Sequence, residues 1–267
     1  MITTSFPHRI VCLSTESTEI VYALGAGERV VGVSGFVTRP PEAREKPKVS
    51  SFISLKMDKI REVKPDLVIT FSDLQAQMAA DLIKEGYTVL ALNQRSVQET
   101  LEAILTIGRV IGCEEKAKTL IASMGAEINF IRQSSASLTH RPRVYFEEWD
   151  NPVISGIRWV SELIEIAGGQ DIFPELKAGK NAKDRYVNSE EVVRRNPEIM
   201  FASWCGKKAN LDAIRSRPGW DVIDAVKNNR IYEIKSPDIL APGPSFILGL
   251  KQIHKTILTS TKEPAII

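Results

Sequence analysis

Aromatic residues and prolines, rather than acids or nucleophiles, mark the places in this sequence that could bind a molecule. Three predicted strands end in, or are directly followed by, Phe71, Trp149 and Trp204. Because ligands of parallel α/β sheets bind at the carboxyl ends of strands, we predict that these rings contact a ligand. Large flat side chains there favour a bulky and mostly uncharged ligand. The predicted ligand-binding residues are Phe36, Pro40, Pro41, Phe52, Phe71, Trp149, Pro152, Trp204 and Phe246.

The sequence motifs of several enzyme classes are absent. There is no G-x-x-x-x-G-K-[ST] phosphate loop, no glycine-rich turn after the first strand, and no G-x-S-x-G elbow. The neighbouring Glu147 and Glu148 point to opposite faces of a strand, so they cannot act jointly on one bond. We interpret the pair as a solvated strand end. No catalytic residue is predicted, and the expected activity is non-enzymatic.

Histidines and cysteines lack the spacing of a metal or disulfide framework. Each of the three histidines lies in a different predicted context, whereas a metal needs several converging ligands. The three cysteines form no Cys-x-x-Cys pair. We therefore expect no metal site, and we interpret these six residues as surface or packing positions: His8, His140, His254, Cys12, Cys113 and Cys205.

Composition narrows the class of partner. The chain carries 35 Lys+Arg against 33 Asp+Glu, a net charge of +2, which lacks the basic field of a nucleic-acid binder. We therefore expect no nucleic-acid partner. The N-terminal residues lack the pattern of a secretory signal. We expect a cytoplasmic protein if the chain is complete, and a periplasmic or extracytoplasmic one if a signal was removed.

The elements that would position these rings alternate between strand and helix. Short apolar runs are typical of buried parallel strands, and the intervening segments have helical spacing. In the first half the predicted strands are 9–14, 29–34, 66–71 and 88–92, and the predicted helices are 16–24, 57–63, 74–85 and 97–111. A second α/β half runs through segments 143–148, 160–167, 190–195, 199–203 and 230–234 to a helix around 246–258.

A long helix separates the two halves. From residue 114 to about 133, apolar residues recur at steps of three and four, which predicts one apolar stripe. The predicted domains are an N-terminal α/β lobe (1–113), a connecting helix (114–134) and a C-terminal α/β lobe (135–267). Two lobes joined by one helix imply a ligand cleft between them.

Three segments resemble the cobalamin- and siderophore-type substrate-binding proteins of ABC importers. They are PPEAREKPKVSSFISLKMDKIREVKPDLVITF (40–71), SGIRWVSELIEIAGGQDIF (155–173) and RPGWDVIDAVKNNRIYEI (217–234), and APGPSFILGL follows near the end. The resemblance covers essentially the whole chain and is closest to the cobalamin-binding members. It implies two Rossmann-like lobes, a rigid connecting helix, and a corrinoid held edge-on between the lobes.

The resemblance also implies a permease partner, and the sequence departs from the family there. Family members present an acidic side chain from each lobe to arginines of the transporter. The corresponding positions fall at or near Gln77 in the first lobe and in the loop containing Lys207 and Lys208 in the second. Neutral and basic residues there should weaken such docking.

Two alternatives to corrinoid binding stay open. Haem or a ferric siderophore would need a Tyr or His ligand or a cluster of arginines. The candidates are Tyr22, Tyr186, Arg39, Arg158 and Arg185. The other alternative is an enzyme that acts on a corrinoid, with Glu148 or Asp150 beside Trp149 as its polar residue.

Overall fold

The computed structural model describes residues 5–260, so the ends of both predicted lobes, 1–4 and 261–267, lie outside the described residues. The chain divides into two compact units. Unit 1 comprises the residues up to Met124 together with Pro242–Pro244, and unit 2 comprises Gly125–Ala241 and the residues from Ser245 onward. Within residues 5–260, no helix is both long and apolar enough to span a bilayer.

Unit 1 contains a parallel sheet with the strand order β3-β2-β1-β4-β5. Its strands are β1 (Ile10–Cys12), β2 (Val30–Ser34), β3 (Lys48–Ser50), β4 (Leu67–Phe71) and β5 (Val89–Leu92). Its helices are α1 (Thr15–Ala23), α2 (Met57–Val63), α3 (Ala76–Lys84) and α4 (Val97–Val110). The predicted alternation of strands and helices is confirmed. Consecutive strands are joined by a crossover through a helix or a loop, so all five strands run parallel.

The central strands β1, β2 and β4 of unit 1 are buried almost throughout, as their apolar composition requires. Val11 and Val68 are fully buried and pack with Ile60 of α2 and Leu82 of α3. Helix α1 begins where the sequence predicts a cap, since the Ser14 hydroxyl accepts a hydrogen bond from the backbone N–H of Ser17. These elements hold the carboxyl ends of β1, β2, β3 and β4 along one edge of the sheet.

Helix α5 (Glu114–Ala136) is the long helix that the apolar stripe predicts. It belongs to both units, because the division between them falls after Met124. Ala117, Met124, Ile128 and Ile131 form its buried stripe.

Unit 2 contains a mixed sheet with the strand order β10-β9-β6-β7, and β8 pairs with β6. Its strands are β6 (Arg143–Asp150), β7 (Val153–Ser155), β8 (Gln170–Asp171), β9 (Ile199–Ala202) and β10 (Ile231–Glu233). Its helices are α6 (Arg158–Ile166), α7 (Ser189–Arg195), α8 (Leu211–Arg215), α9 (Asp224–Lys227) and α10 (Phe246–Ser260). Strands β6, β9 and β10 run parallel, whereas β7 folds back antiparallel on β6.

The core of unit 2 is rich in aromatic residues. Tyr145 packs edge-to-face against both Phe173 and Trp220, with ring centroids 5.9 and 6.2 Å apart. The indole N–H of Trp220 donates to the Ser189 hydroxyl, and that of Trp159 donates to the Ile239 carbonyl. Both tryptophans are therefore satisfied packing residues.

Candidate ligand-binding faces

The strand ends of unit 1 carry exposed aromatic rings. Phe36 follows β2 and Phe52 follows β3, and their rings meet edge-to-face at 6.3 Å. Their exposed fractions are 52% and 46% although both are large apolar residues. Phe71, at the last position of β4, is half-buried. The structure therefore brings Phe36 and Phe52 together as an uncovered apolar pair, the kind of surface that marks a binding site.

Two of the predicted contact prolines lie in unit 1 and the third in unit 2. Pro40 is half-buried and Pro41 is exposed, and they lead into the short 3-10 segment Pro41–Glu45. The bond between Arg39 and Pro40 is cis, as is that between Asn151 and Pro152. Pro152 is exposed at the turn between β6 and β7. The sequence predicted all three prolines as ligand contacts, and this remains a prediction.

A carboxyl group is buried at the start of α1, beside the end of β1. Glu16 is 5% exposed, and its Oε1 atom has no hydrogen-bond partner. Burial raises the pKa of Glu16 to about 7, with a smaller contribution from the charge of Glu19. The sequence gives no indication of this, because Glu in the first helical turn is ordinarily a solvated residue.

In unit 2, a lysine covers the tryptophans that end the strands. The Lys207 ammonium lies 4.1 Å from the centroid of the Trp149 ring and 4.6 Å from that of Trp204. It also forms an ion pair with Asp150, with Nζ–Oδ distances of 2.9 and 3.1 Å. Burial opposes ionisation of Asp150, but the hydrogen bond from Lys207, backbone hydrogen bonds and the charge of Lys207 together outweigh it and lower the pKa of Asp150. The sequence predicts that Lys207 lies at a permease-docking position, and this stays a prediction. In the structure the Lys207 ammonium pairs with Asp150 of the same unit.

The adjacent acids of β6 are not a solvated strand end, and that interpretation was wrong. Glu147 is fully buried and accepts hydrogen bonds from Arg217, with an Nη2–Oε1 distance of 2.8 Å, and from the Trp204 indole. Glu148 accepts two hydrogen bonds from Arg185, at 2.6 and 3.0 Å. Both carboxylates are thus bound to arginines that lie far away in the sequence.

Two of the predicted contact rings have little exposed surface. Trp204 is 4% exposed and belongs to the core of unit 2, and Phe246 is completely buried in the first turn of α10. The burial of Phe246 counts against the ligand contact predicted for it, because contact would require the ring to be uncovered. Trp149 is half-buried and is the more accessible of the two strand-end tryptophans.

The arginines proposed for an anionic siderophore are largely engaged. Arg185 is 2% exposed and bound to Glu148 and to the Ser155 carbonyl. Arg158 pairs with Glu162 one helical turn away, at 2.9 Å. These two guanidinium groups therefore do not form an open anion-binding cluster.

Of the two tyrosines that could ligate haem, only Tyr186 has the exposure for it. Tyr186 is 51% exposed and pairs with Ile154, which in turn pairs with Trp149 in the sheet. The Tyr22 hydroxyl is buried without a partner and lies within α1. Across residues 5–260, His, Cys, Asp and Glu form no group of three that could hold a metal ion.

These features define a class of protein. Two α/β units, each with a sheet flanked by helices and with aromatic rings at strand ends, share the long helix α5. Solved structures of the two-lobed substrate-binding class match the chain over nearly its whole length. The periplasmic vitamin B12 binding protein BtuF of Vibrio cholerae matches with a TM-score of 0.79 and 23% identity, covering 97% of this chain and 100% of the other. The periplasmic haem-binding protein RhuT from Roseiflexus matches with a TM-score of 0.83 and 23% identity, over 97% and 100% of the two chains.

The chain belongs to the periplasmic binding protein family, which matches residues 10–237. Two related sequences agree with this assignment. The uncharacterized ABC transporter substrate-binding lipoprotein YvrC of Bacillus subtilis is 29% identical over 96% of this chain and 81% of its own length. The vitamin B12-binding protein of Vibrio parahaemolyticus is 25% identical over 92% of this chain and 87% of its own length. The expected two-lobed fold and the family resemblance are therefore confirmed.

Proposed function

We propose that the protein binds a corrinoid such as cobalamin, without chemically altering it, for import by an ABC transporter. The observation that carries this proposal is the exposed pair Phe36–Phe52 at the strand ends of unit 1. Such a pair suits the broad apolar surface of a corrin ring. Vitamin B12-binding proteins among the relatives support the same ligand class.

Titration of the purified protein with cyanocobalamin tests this proposal. We expect saturable binding at micromolar concentration or tighter, detected by calorimetry or by quenching of tryptophan fluorescence. Replacement of both Phe36 and Phe52 by Ala should weaken binding by about 10-fold or more, because two apolar contacts are lost. The control is Phe130→Ala, which removes a still more exposed ring, 69% accessible, from α5. Absence of binding to cyanocobalamin and other cobamides would refute the proposal.

Haem is the second candidate, and the exposed Tyr186 favours it because a tyrosine phenolate can ligate ferric iron. Haemin binding would then give a shifted Soret band that Tyr186→Phe abolishes, whereas Tyr22→Phe should leave it unchanged. The same titration with a ferric catecholate siderophore tests the third ligand class. A cobalamin binder should show none of these responses.

The ion pairs of the two acids beside Trp149 favour a binding role over an enzymatic one. Glu148 is bound by Arg185, and Asp150 by Lys207, so neither carboxylate is poised to transfer a proton. Cobalamin recovered after prolonged incubation should have an unchanged mass spectrum. A chemically altered corrinoid would instead indicate an enzyme.

Delivery to a permease is the step that follows binding. Gln77, at the predicted docking position of unit 1, is exposed on α3 and donates a 2.8 Å hydrogen bond to Asp81, one turn further along. We propose that Asp81 supplies the acidic group that Gln77 lacks. Loss of ligand-stimulated transport in Asp81→Asn, with ligand affinity retained, would support this role.

Cell fractionation with the chromosomal gene tests whether the protein works outside the cytoplasm or within it.

A further inference from the structure

One buried amide links three separate segments at the strand ends of unit 1. Gln75 lies in the 3-10 turn Asp73–Gln75 that follows β4, and it is 2% exposed. Its Oε1 atom accepts a hydrogen bond from the backbone N–H of Phe71 at 2.9 Å. Its Nε2 atom donates to the carbonyl oxygens of Leu13 and Phe52, both at 3.0 Å.

The chemistry of these partners fixes the orientation of the amide. Two carbonyl oxygens require a donor group, and one backbone N–H requires an acceptor. A flipped amide would place its oxygen against both carbonyls and its NH₂ group against the N–H. Both donors of Gln75 are therefore used, and the side chain joins the end of β1, the loop after β3 and the end of β4.

Two of the three linked residues carry rings of the proposed ligand face. Phe71 and Phe52 are both held through their backbones, and the Phe52 ring contacts Phe36. The loop that carries Phe52 has a second brace, because the Ser51 N–H donates to the Ser54 carbonyl at 2.9 Å. That brace is internal to the loop, whereas Gln75 ties the loop to its neighbours.

We propose that Gln75 is the positioning residue of this ligand face. It fixes the Phe52 loop and Phe71 before ligand arrives, so that binding does not have to order them, and a preorganised face binds more tightly. The effect of Gln75 on ligand affinity rests on the proposed function, whereas its effect on the order of the loop does not.

The test compares Gln75→Met with Gln77→Met. Both changes replace an amide by an unbranched apolar chain. Gln75 is buried and joins three segments, whereas Gln77 is exposed and donates its hydrogen bond to Asp81 on the same helix. We expect Gln75→Met to weaken cobalamin binding by about 10-fold or more, because the loop must then be ordered on binding. Gln77→Met should bind as the wild type does.

Amide hydrogen exchange separates positioning from a general structural role. In Gln75→Met, exchange at Phe71 and across residues 51–54 should accelerate by about 10-fold or more, while β1 and residues 67–70 of β4 keep their protection. If the variant binds cobalamin with wild-type affinity, or if exchange at these sites is unchanged, the inference is overturned. Failure of the wild type to bind cobalamin would instead refute only the proposed ligand, since the exchange result is independent of it.

The wild-type protein supplies a second test that needs no variant. Because the face is proposed to be preorganised, saturating cobalamin should leave exchange across residues 51–54 changed by less than about 3-fold. A large gain in protection on binding would show that the ligand, rather than Gln75, orders the loop. Gln75→Asn, which keeps an amide but is one methylene shorter, should fall between wild type and Gln75→Met in affinity.

Discussion

At the residue scale, polar side chains in this protein shape its aromatic surfaces. Gln75 holds the backbones of two phenylalanines, and Lys207 lies over two indole rings while pairing with Asp150. In both places a hydrophilic group fixes where an apolar surface lies. Ligand contact would thus depend on residues that need not touch the ligand.

Lys207→Met should change the environment of both strand-end tryptophans. Loss of the ammonium removes two cation–π contacts and one partly exposed ion pair, which together stabilise the protein by about 1 kcal/mol. We expect a shift in tryptophan fluorescence and a correspondingly lower urea midpoint. Lys208→Met, at the exposed neighbouring position, is the control and should leave both unchanged. Equal effects of the two substitutions would show that Lys207 does not cover the rings.

Glu16 should make the stability of the protein depend on pH. Its pKa in the folded protein, about 7, lies above its ordinary value of 4.5, so the folded state favours the protonated carboxyl. The associated stabilisation is fully present below pH 4.5 and is lost as the pH rises through about 7. With about 1.4 kcal/mol for each pH unit, the loss amounts to at most about 3 kcal/mol.

Glu16→Gln isolates this effect because the amide does not titrate. The free energy of unfolding of the variant, minus that of the wild type, should rise between pH 4.5 and pH 7 and stay level above it. Urea unfolding at several pH values measures the difference. Glu62→Gln, at an exposed position of α2, serves as the control and should show no such rise. A difference that falls with pH would contradict the assignment.

At the element scale, long-range ion pairs hold the end of β6. Glu147 and Glu148 lie side by side on that strand, and their arginine partners come from the segments before α9 and before α7. Each pair connects a strand end to a loop that contributes no strand of its own. The pairs therefore anchor these loops to β6, and the loop of Arg185 is also held to β7 by the bridge between Tyr186 and Ile154.

Arg217→Met should destabilise unit 2 strongly. It leaves the fully buried Glu147 carboxylate without its charged partner, and loss of one member of a buried pair costs roughly 3–5 kcal/mol. The double variant Glu147→Leu/Arg217→Met should recover part of this loss, because no unpaired charge remains. Chemical unfolding of both variants measures the two costs. A double variant less stable than Arg217→Met would mean that the carboxylate has other essential partners.

The sequence predicts the regular elements better than the contacts that link them. Apolar runs correctly predict β1, β2, β4 and β5, but β3 is missed because its three residues include a single apolar one, Val49. Gln75 gives no sequence signal, since a polar residue inside a helical segment usually faces water. Likewise the partner of Glu147 lies 70 residues away, and one sequence does not show such a pairing.

At the scale of the whole molecule, near-zero net charge agrees with a large, mostly neutral ligand. The positive charges of Lys and Arg nearly cancel the negative charges of Asp and Glu. Many of these side chains also form ion pairs with each other, as in Arg61–Glu85 and Lys251–Glu127. A protein without a strong field of either sign does not attract its ligand by charge over a distance. Under the proposed function, affinity comes from apolar contact and from a preformed face.

Ligand binding should therefore appear as a gain in the stability of the folded chain. A ligand present at 100 times its dissociation constant stabilises the folded state by about 2.7 kcal/mol, which raises the melting temperature of a chain this long by several degrees. We expect this rise with cyanocobalamin, little change with haemin or a ferric catecholate, and its loss in Phe36→Ala/Phe52→Ala. Because the chain has two compact units, calorimetry rather than a single optical probe should record the unfolding. A rise with haemin alone would assign the protein to haem and give Tyr186 the role proposed here for the phenylalanine pair.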